Sequence, residues 1–240
     1  NHKRRPSIFA VSFLLTVFYF VVLVLWAPLA LGAPKHSSNE IWTNVYFQGR
    51  KMGYSRYSFK ETKWKGQDVY EFKEESVSYG IAGNEYESHQ TITALTRKDF
   101  SPVYFLIKNS DKDRLEIVKG FASEGELRLE ITFPGVRMQR LFKLEKDTYL
   151  EQSIGKILEK RGLNVGRRYL FKAFSPDALR FVEQTYEIKR KEKINLDGES
   201  EAFVIESRDS SIKGVVALEW VTEEGELAKI IDKMASKVAD

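Results

Sequence analysis

Leu127, Leu129, Ile131 and Phe133 alternate with Arg128, Glu130 and Thr132. An apolar residue at every second position builds a strand with one face on a core and the other in water. The same kind of run, cut by turn residues, recurs along most of the chain. Ile41 to Gln48 precedes Gly49-Arg50, Met52 to Thr62 precedes Lys65-Gly66, and Val69 to Tyr79 and Glu85 to Arg97 flank Gly80 and Gly83-Asn84. Val103 to Lys108 leads into Asn109-Ser110-Asp111, and Leu115 to Phe121 into Glu124-Gly125. Val136, Met138, Phe142 and Leu144 carry the alternation further, with Arg140 on the apolar side. Arg168 to Ala173, Phe181 to Lys189, Ala202 to Glu206 and Val215 to Val221 come next, with Leu196-Asp197-Gly198 as a turn in between. Runs this short, joined by glycine, asparagine and aspartate, fold as hairpins in an antiparallel meander. An Arg in the apolar phase, such as Arg140, is best accommodated at a sheet edge, where its stem packs and its head reaches water.

One segment breaks the period of two. Thr148-Tyr149-Leu150-Glu151 fits a capping box, and Leu150, Ile154, Ile157 and Leu158 then fall on one helical stripe. Lys160 and Arg161 suit the negative end of such a helix, and Gly162 its termination. Roughly ten strands and one helix predict a mainly β fold: a single curved antiparallel sheet, a half-barrel, with the helix across its concave face. Two packed sheets are the alternative. Parallel α/β folds are disfavoured because crossover helices are lacking.

The N-terminus belongs to a different problem. Lys3, Arg4 and Arg5 precede an apolar run from Ile8 to Trp26, then Pro28 and the small residues Ala30, Gly32 and Ala33. That is the layout of a signal peptide over residues 1–32, with cleavage between Gly32 and Ala33. As an uncleaved anchor, residues 8–26 would rise about 28 Å as a helix and hold the chain in the membrane. Either way the positive flank predicts export of the rest of the chain: a linker over residues 33–40 and a half-barrel domain over 41–240. The whole chain carries 38 Lys and Arg against 34 Asp and Glu, for a net +4. Without the three leader cations the balance is 35 to 34, so the basicity resides mainly in the leader; export makes nucleic acid an unexpected partner.

Chemistry is sparse. Absence of Cys excludes disulfides, thiolate zinc sites and a thiol nucleophile. No G-x-S-x-G elbow and no phosphate-binding glycine loop occurs. His89 stands on the polar side of its strand with Glu87, Thr91 and Thr93, where a solvated surface role is expected. Adjacent acids such as Glu74-Glu75 point to opposite strand faces, and a carboxylate pair assembled from distant strands leaves no trace in spacing. The basic stretches, Lys156 to Lys172 and Lys189 to Lys193, read as solvated surface with interleaved acids. No catalytic residue, metal ligand or cofactor is therefore expected. Sixteen Phe, 11 Tyr and 4 Trp make the aromatic load the one unusual feature. Phe105, Phe121, Phe133, Phe142, Phe171, Phe203 and Trp220 form either an ordinary core or the lining of an apolar cleft for an acyl chain.

The stretch from Val45 to Tyr54, with Tyr46, Gly49, Lys51, Gly53 and Tyr54, resembles the Y-x-x-G-x-K-x-G-Y opening of a bacterial envelope domain that precedes transglutaminase-like catalytic domains. Gly166-Arg167-Arg168-Tyr169 with Phe174-Ser175-Pro176-Asp177 resembles its G-K-x-Y and F-D-P segment. Ala217-Leu218-Glu219-Trp220 through Glu224-Gly225-Glu226-Leu227 is similar to its closing W-x-D-x-x-G-E-L hairpin. The likeness runs from Trp42 to Ile231 and implies a curved sheet similar to lipoprotein-carrier half-barrels of the LolA and LppX type. The family's catalytic Cys, His and Asp lie in a separate downstream domain, so no residue here inherits a catalytic role. The expectation is an exported, non-catalytic domain in the periplasm of a Gram-negative bacterium, binding a lipid or acyl group or docking an envelope protein partner. The alternative is the regulatory N-terminal portion of an exported transglutaminase-like or protease enzyme.

Overall fold

The computed structural model describes residues 40–47, 50–79, 87–112, 114–176, 178–195, 199–210, 215–223, 225 and 227–234. The leader at 1–32, the Gly32–Ala33 cleavage point, the candidate membrane segment 8–26, most of the linker and the 196–198 turn lie outside the described residues. Among the described residues no helix is long and apolar enough to cross a membrane.

Strands dominate. The first stretch is a meander of β1 (Glu40–Phe47), β2 (Arg50–Trp64), β3 (Gln67–Tyr79), β4 (Glu87–Thr96), β5 (Pro102–Asp111), β6 (Arg114–Ser123), β7 (Glu126–Phe133) and β8 (Val136–Lys143), each antiparallel to the next. The hairpin turns explain why it runs in strict chain order. Lys65 and Gly66 take φ of 50° and 82°, and Glu124 and Gly125 take 49° and 79°. Two left-handed residues in succession make the tight turn whose twist matches paired strands.

The second stretch holds β9 (Thr148–Leu150), β10 (Arg168–Ser175), β11 (Arg180–Asn195), β12 (Glu199–Asp209), β13 (Val215–Thr222) and β14 (Leu227–Met234), in the order β14-β13-β12-β11-β10-β9. All its pairings are antiparallel except β9 with β10. The result is a mainly β fold in a large curved antiparallel sheet that does not close into a barrel, with one α-helix among the described residues, α1 (Ile154–Arg161). Hydrogen bonding divides the sheet into these two stretches because β9 pairs with β10, not with β8. They share one core nevertheless: Ile92, Phe105, Val118, Leu129 and Ile131 of the first pack in one cluster with Phe171, Ala173, Ile188 and Ile205 of the second.

The capping box is corrected by the structure. Thr148 is a buried strand residue, and α1 begins after a short 3₁₀ turn, Glu151–Ser153, with no side-chain cap. Three β-compatible residues, Thr148-Tyr149-Leu150, pair with Lys172-Ala173-Phe174 and bury Leu150 completely, which outweighs a surface cap worth about 1 kcal/mol. Strand β9, α1 and β10 therefore form one β-α-β crossover inside an otherwise antiparallel fold. The helical stripe holds for Ile154, Ile157 and Leu158, while Leu150, expected on it, lies in β9. Ile154, Ile157 and Leu158 are 1–3% exposed within the common core, each worth about 1.5–3 kcal/mol of burial.

Aromatic rings join the two stretches. Phe174 and Phe181 lie in the opposite phase to Phe171, yet Phe174 is fully buried, because Phe105 and Phe142 of the first stretch cover that side. Arg140 faces the same side as Phe142 on the edge strand β8 and stays exposed, as an edge position allows.

Phe105 needs a glycine opposite. It pairs with Gly120 in register, and a Cβ built at Gly120 would stand 2.1 Å from the Phe105 ring. The ring is fully buried and stacked on Phe174 at 5.5 Å, so it has nowhere to retreat. Gly120→Ala is expected to lower stability by about 1–3 kcal/mol through overpacking, read as a reduced urea midpoint. An unchanged midpoint would show that the Phe105–Phe174 contact yields freely.

Candidate functional site

The seven aromatics singled out in the sequence do not line one cleft. Phe105, Phe171 and Phe203 are in the shared core, with Phe133 and Phe142 packed against it. Phe121 falls on the other face of β6, in a row with Tyr104 and Trp64, whose rings lie 5.2 Å and 5.1 Å apart in turn. Trp220 belongs to a separate cluster with Ala202 and Val204 on the outer side of β12 and β13, where its indole N–H donates to Glu192 and Lys229 lies over its ring. Strand phase explains the split: Phe121 alternates with the inward Gly120 and Ala122, and Trp220 pairs with Val204 rather than with Ile205.

A different set of residues converges on the inner side. Tyr57 and Glu74 are paired neighbours on β2 and β3, in phase with Phe59 and Phe72 of the core. From the second stretch, Gln184 and Tyr186 on β11 are in phase with Val182 and Ile188. The 3₁₀ turn before α1 adds Glu151, and β10 adds Ser175. The groups form a relay: the Tyr186 hydroxyl donates to Gln184 Oε1 at 3.1 Å, and Gln184 Nε2 donates to Glu151 Oε1 at 2.6 Å. Ser175 also hydrogen-bonds Glu151, while Tyr57 and Ser76 hydrogen-bond Glu74.

Burial holds both carboxyls above the ordinary Glu range. Burial is the largest cause for Glu74, opposed by the Tyr57 and Ser76 hydrogen bonds, with the charge of Glu151 adding to the rise. Glu151 is likewise raised first by burial, against its bonds to Ser175 and Gln184, with Asp209 contributing. Burial also pushes the Tyr186 phenol well up, reinforced by Glu219, Glu151 and Asp209. The acids of the two stretches therefore feel one another across the concave side. The inner side here brings hydroxyl, amide and carboxyl groups together, a set suited to hydrogen-bonding a polar group.

Sequence spacing concealed this site. Glu74 and Glu75 do point apart as expected, with Glu75 outward against Arg56 and Lys73. The partner of Glu74 is Glu151, 77 positions on, so only the fold brings them together. A weak signal existed in the strand phase: Tyr70, Phe72, Glu74 and Ser76 share one face, as do Val182, Gln184 and Tyr186. Polar residues in the core phase mark an interior that is not wholly apolar.

The remaining candidates stay at the surface. His89 is half exposed and sits 3.1 Å from Glu87 on the outer face. The basic stretches are interleaved with acids, including Lys172–Glu145, Lys189–Glu187, Lys191–Glu223 and Lys193–Glu199. Among the described residues no three His, Cys, Asp or Glu side chains converge as metal ligands.

The raised carboxyls give the cleft a pH signature. A carboxyl with a raised folded value favours the fold in full below its unfolded value, about pH 4.3 for Glu. That contribution is lost as pH rises through the folded value. Glu151→Gln keeps an oxygen acceptor for Gln184 and removes the titrating group. Its urea midpoint is expected to exceed that of the unsubstituted protein at pH 8, with the gap closing at pH 4. Equal midpoints at both pH values would show that Glu151 carries no burial cost.

No family model matches the chain, and no curated protein does. Among solved structures, the chain is similar to a beta-barrel-like protein of the domain of unknown function DUF1849 from Brucella abortus. The match covers 78% of this chain and 83% of that one, with 12% identity and a TM-score of 0.55. A DUF1089 family protein from Pseudomonas aeruginosa aligns over 86% and 95% of the two chains at 13% identity, with a TM-score of 0.42, too low to carry an argument. At such identities the likeness shows the fold alone: a barrel-like, mainly β domain.

Proposed function

We propose that this chain is a non-catalytic binding domain of the Gram-negative envelope, exported by its N-terminal segment, which holds a polar ligand or a segment of an envelope protein in the cleft around Glu74, Glu151 and Tyr186. The observation that carries the reading is the inward relay from Tyr186 through Gln184 to Glu151. Burying such groups costs about 1–3 kcal/mol each wherever a partner is missing, and a purely structural core would be more stable with apolar residues there.

Of the two occupants suggested by the sequence, a lipid or acyl group and an envelope protein partner, the acyl chain is the less well supported. The apolar part of the concave side is occupied by Ile154, Ile157 and Leu158 of α1 and by Phe105 and Phe171. An acyl chain would have to displace the helix. The regulatory reading, in which the domain serves a transglutaminase-like or protease enzyme, has one observation in its favour. Ser175 and Glu219 come from two of the segments that resemble that envelope domain; Ser175 hydrogen-bonds Glu151, and the charge of Glu219 acts on Tyr186. The cleft would then face the catalytic domain.

The test is a photo-crosslinking amino acid placed at Tyr57 inside the cleft and, as a control, at the exposed Leu141 of β8. In envelope fractions the Tyr57 site is expected to yield a discrete protein or polar small-molecule adduct that Glu151→Ala abolishes. Recovery of an acyl lipid, or the same adducts from Leu141, would overturn the proposal.

A further inference from the structure

The turn joining β4 to β5 meets the last turn of α1 in a surface depression of about 270 Å³, lined by Asp99, Phe100, Tyr149, Ile157, Lys160 and Arg161. It shares no lining residue with the Glu74–Glu151 cleft. Phe100 is its most constrained element. A buried, bulky residue at a φ of 66° is in a region that side chains rarely adopt. The turn holds it there: the Phe100 N–H donates to the Arg97 carbonyl and the Arg97 N–H to the Ser101 carbonyl, both at 2.9 Å. The Phe100 ring stacks on Tyr70 at 5.2 Å and has Lys160 Nζ 5.4 Å from its centroid.

Across the depression, the Arg161 guanidinium lies over the Tyr149 ring and donates to its hydroxyl at 3.3 Å. Lys156 and Lys98, close by, pair with Glu159 and Glu61. Among the described residues Lys160 and Arg161 have no carboxylate partner, and both are exposed. The one acid in the lining, Asp99, directs Oδ1 to the Ser101 N–H at 2.9 Å and its hydroxyl at 2.7 Å. The helix dipole accounts for cations in the last turn of α1. It does not account for two aromatic walls beside them, one kept at a strained φ.

We propose that this depression binds a phosphate group carried on an apolar or aromatic body. Two donors of the Arg161 fork take two phosphate oxygens, Lys160 supplies the second positive charge, and the rings of Phe100 and Tyr149 receive the body. The phosphate can come from a lipid headgroup at a membrane surface or from a soluble compound, and the two sources are separable by experiment.

Inorganic phosphate is titrated into the isotopically labelled protein at low ionic strength, and amide shifts are followed by NMR. Cosedimentation with phosphatidylglycerol vesicles, against phosphatidylcholine vesicles, forms the second arm. Phosphate is expected to shift residues 97–101 and 149–162, and the Lys160→Gln/Arg161→Gln variant to weaken binding by about tenfold or more. Arg140→Gln/Lys143→Gln, which removes two exposed cations of β8, is expected to leave it intact. Because Arg161 also covers the Phe171 ring, Lys160→Gln alone, with an expected loss of about threefold, keeps the test valid if the double variant is misfolded. Vesicle binding that depends on the same pair assigns the site to lipid headgroups; phosphate binding without vesicle binding assigns it to a soluble compound. Failure of both probes, or equal loss in the β8 variant, overturns the proposal.

Discussion

Phe105 and Phe174 face each other at 5.5 Å, one from each hydrogen-bonded stretch, and the rest of the architecture depends on that contact. No backbone ladder joins β8 to β9, so cohesion between the two stretches rests on side chains. Phe142 and Phe181 both approach Phe174 edge-on, at 5.7 Å and 5.3 Å, and lie 5.9 Å from each other. Edge-to-face and offset pairs of this kind add about 0.5–1.5 kcal/mol each beyond their buried area. Gly120 is the concession that makes the arrangement possible, since any side chain there would occupy the space of the Phe105 ring. Once the aromatic cluster fixes the two stretches, α1 has a defined groove, and Ile154, Ile157 and Leu158 fill it.

Filling one part of the concave side with the helix decides what remains for the other part. Where α1 ends its coverage, the inward phase changes from Phe59 and Phe72 to Tyr57, Glu74 and Ser76 on one stretch. On the other, Gln184 and Tyr186 stand between Val182 and Ile188 on β11, with Phe171 paired opposite Gln184. A buried polar network is costly when incomplete and specific when complete. Here the hydrogen bonds connect hydroxyl to amide to carboxyl in one chain. Displacing that order with an apolar ligand would strand several donors at once, whereas a polar ligand can exchange bonds one for one. The preference for a polar occupant comes from this asymmetry between losing and exchanging hydrogen bonds.

The strands were readable because each carries its own period. Leu127, Leu129 and Ile131 are 0–1% exposed, as alternation alone predicts. The helical stripe was readable for the same reason. The helix start was not, since Thr148-Tyr149-Leu150 satisfies both a capping box and a strand, and only the presence of Lys172 to Phe174 alongside decides between them. The aromatic cleft failed in a different way. Residue type located Phe121 and Trp220, but strand phase sends both to the outer face. Strand phase marked Glu74 as inward, but its approach to Glu151 was invisible because it depends on the long-range packing of the 3₁₀ turn between the two stretches, which no local pattern encodes.

The open edge has a physical cause in the residues around it. β8 ends the first stretch with Arg137, Gln139, Leu141 and Lys143 exposed on one face and Arg140 exposed on the other. Charged side chains along an edge discourage further pairing, because a new strand would have to desolvate them. The chain after β8 instead crosses to β10, and the short parallel β9 begins the second stretch there. Antiparallel pairing of β9 with β8 would have kept Thr148 to Leu150 in the first ladder and left α1 without its crossover. Parallel pairing lets the 3₁₀ turn deliver Glu151 to the concave side and carries the helix across the core. The break in the hydrogen-bonded sheet and the position of the polar cleft are thus consequences of the same three-residue strand.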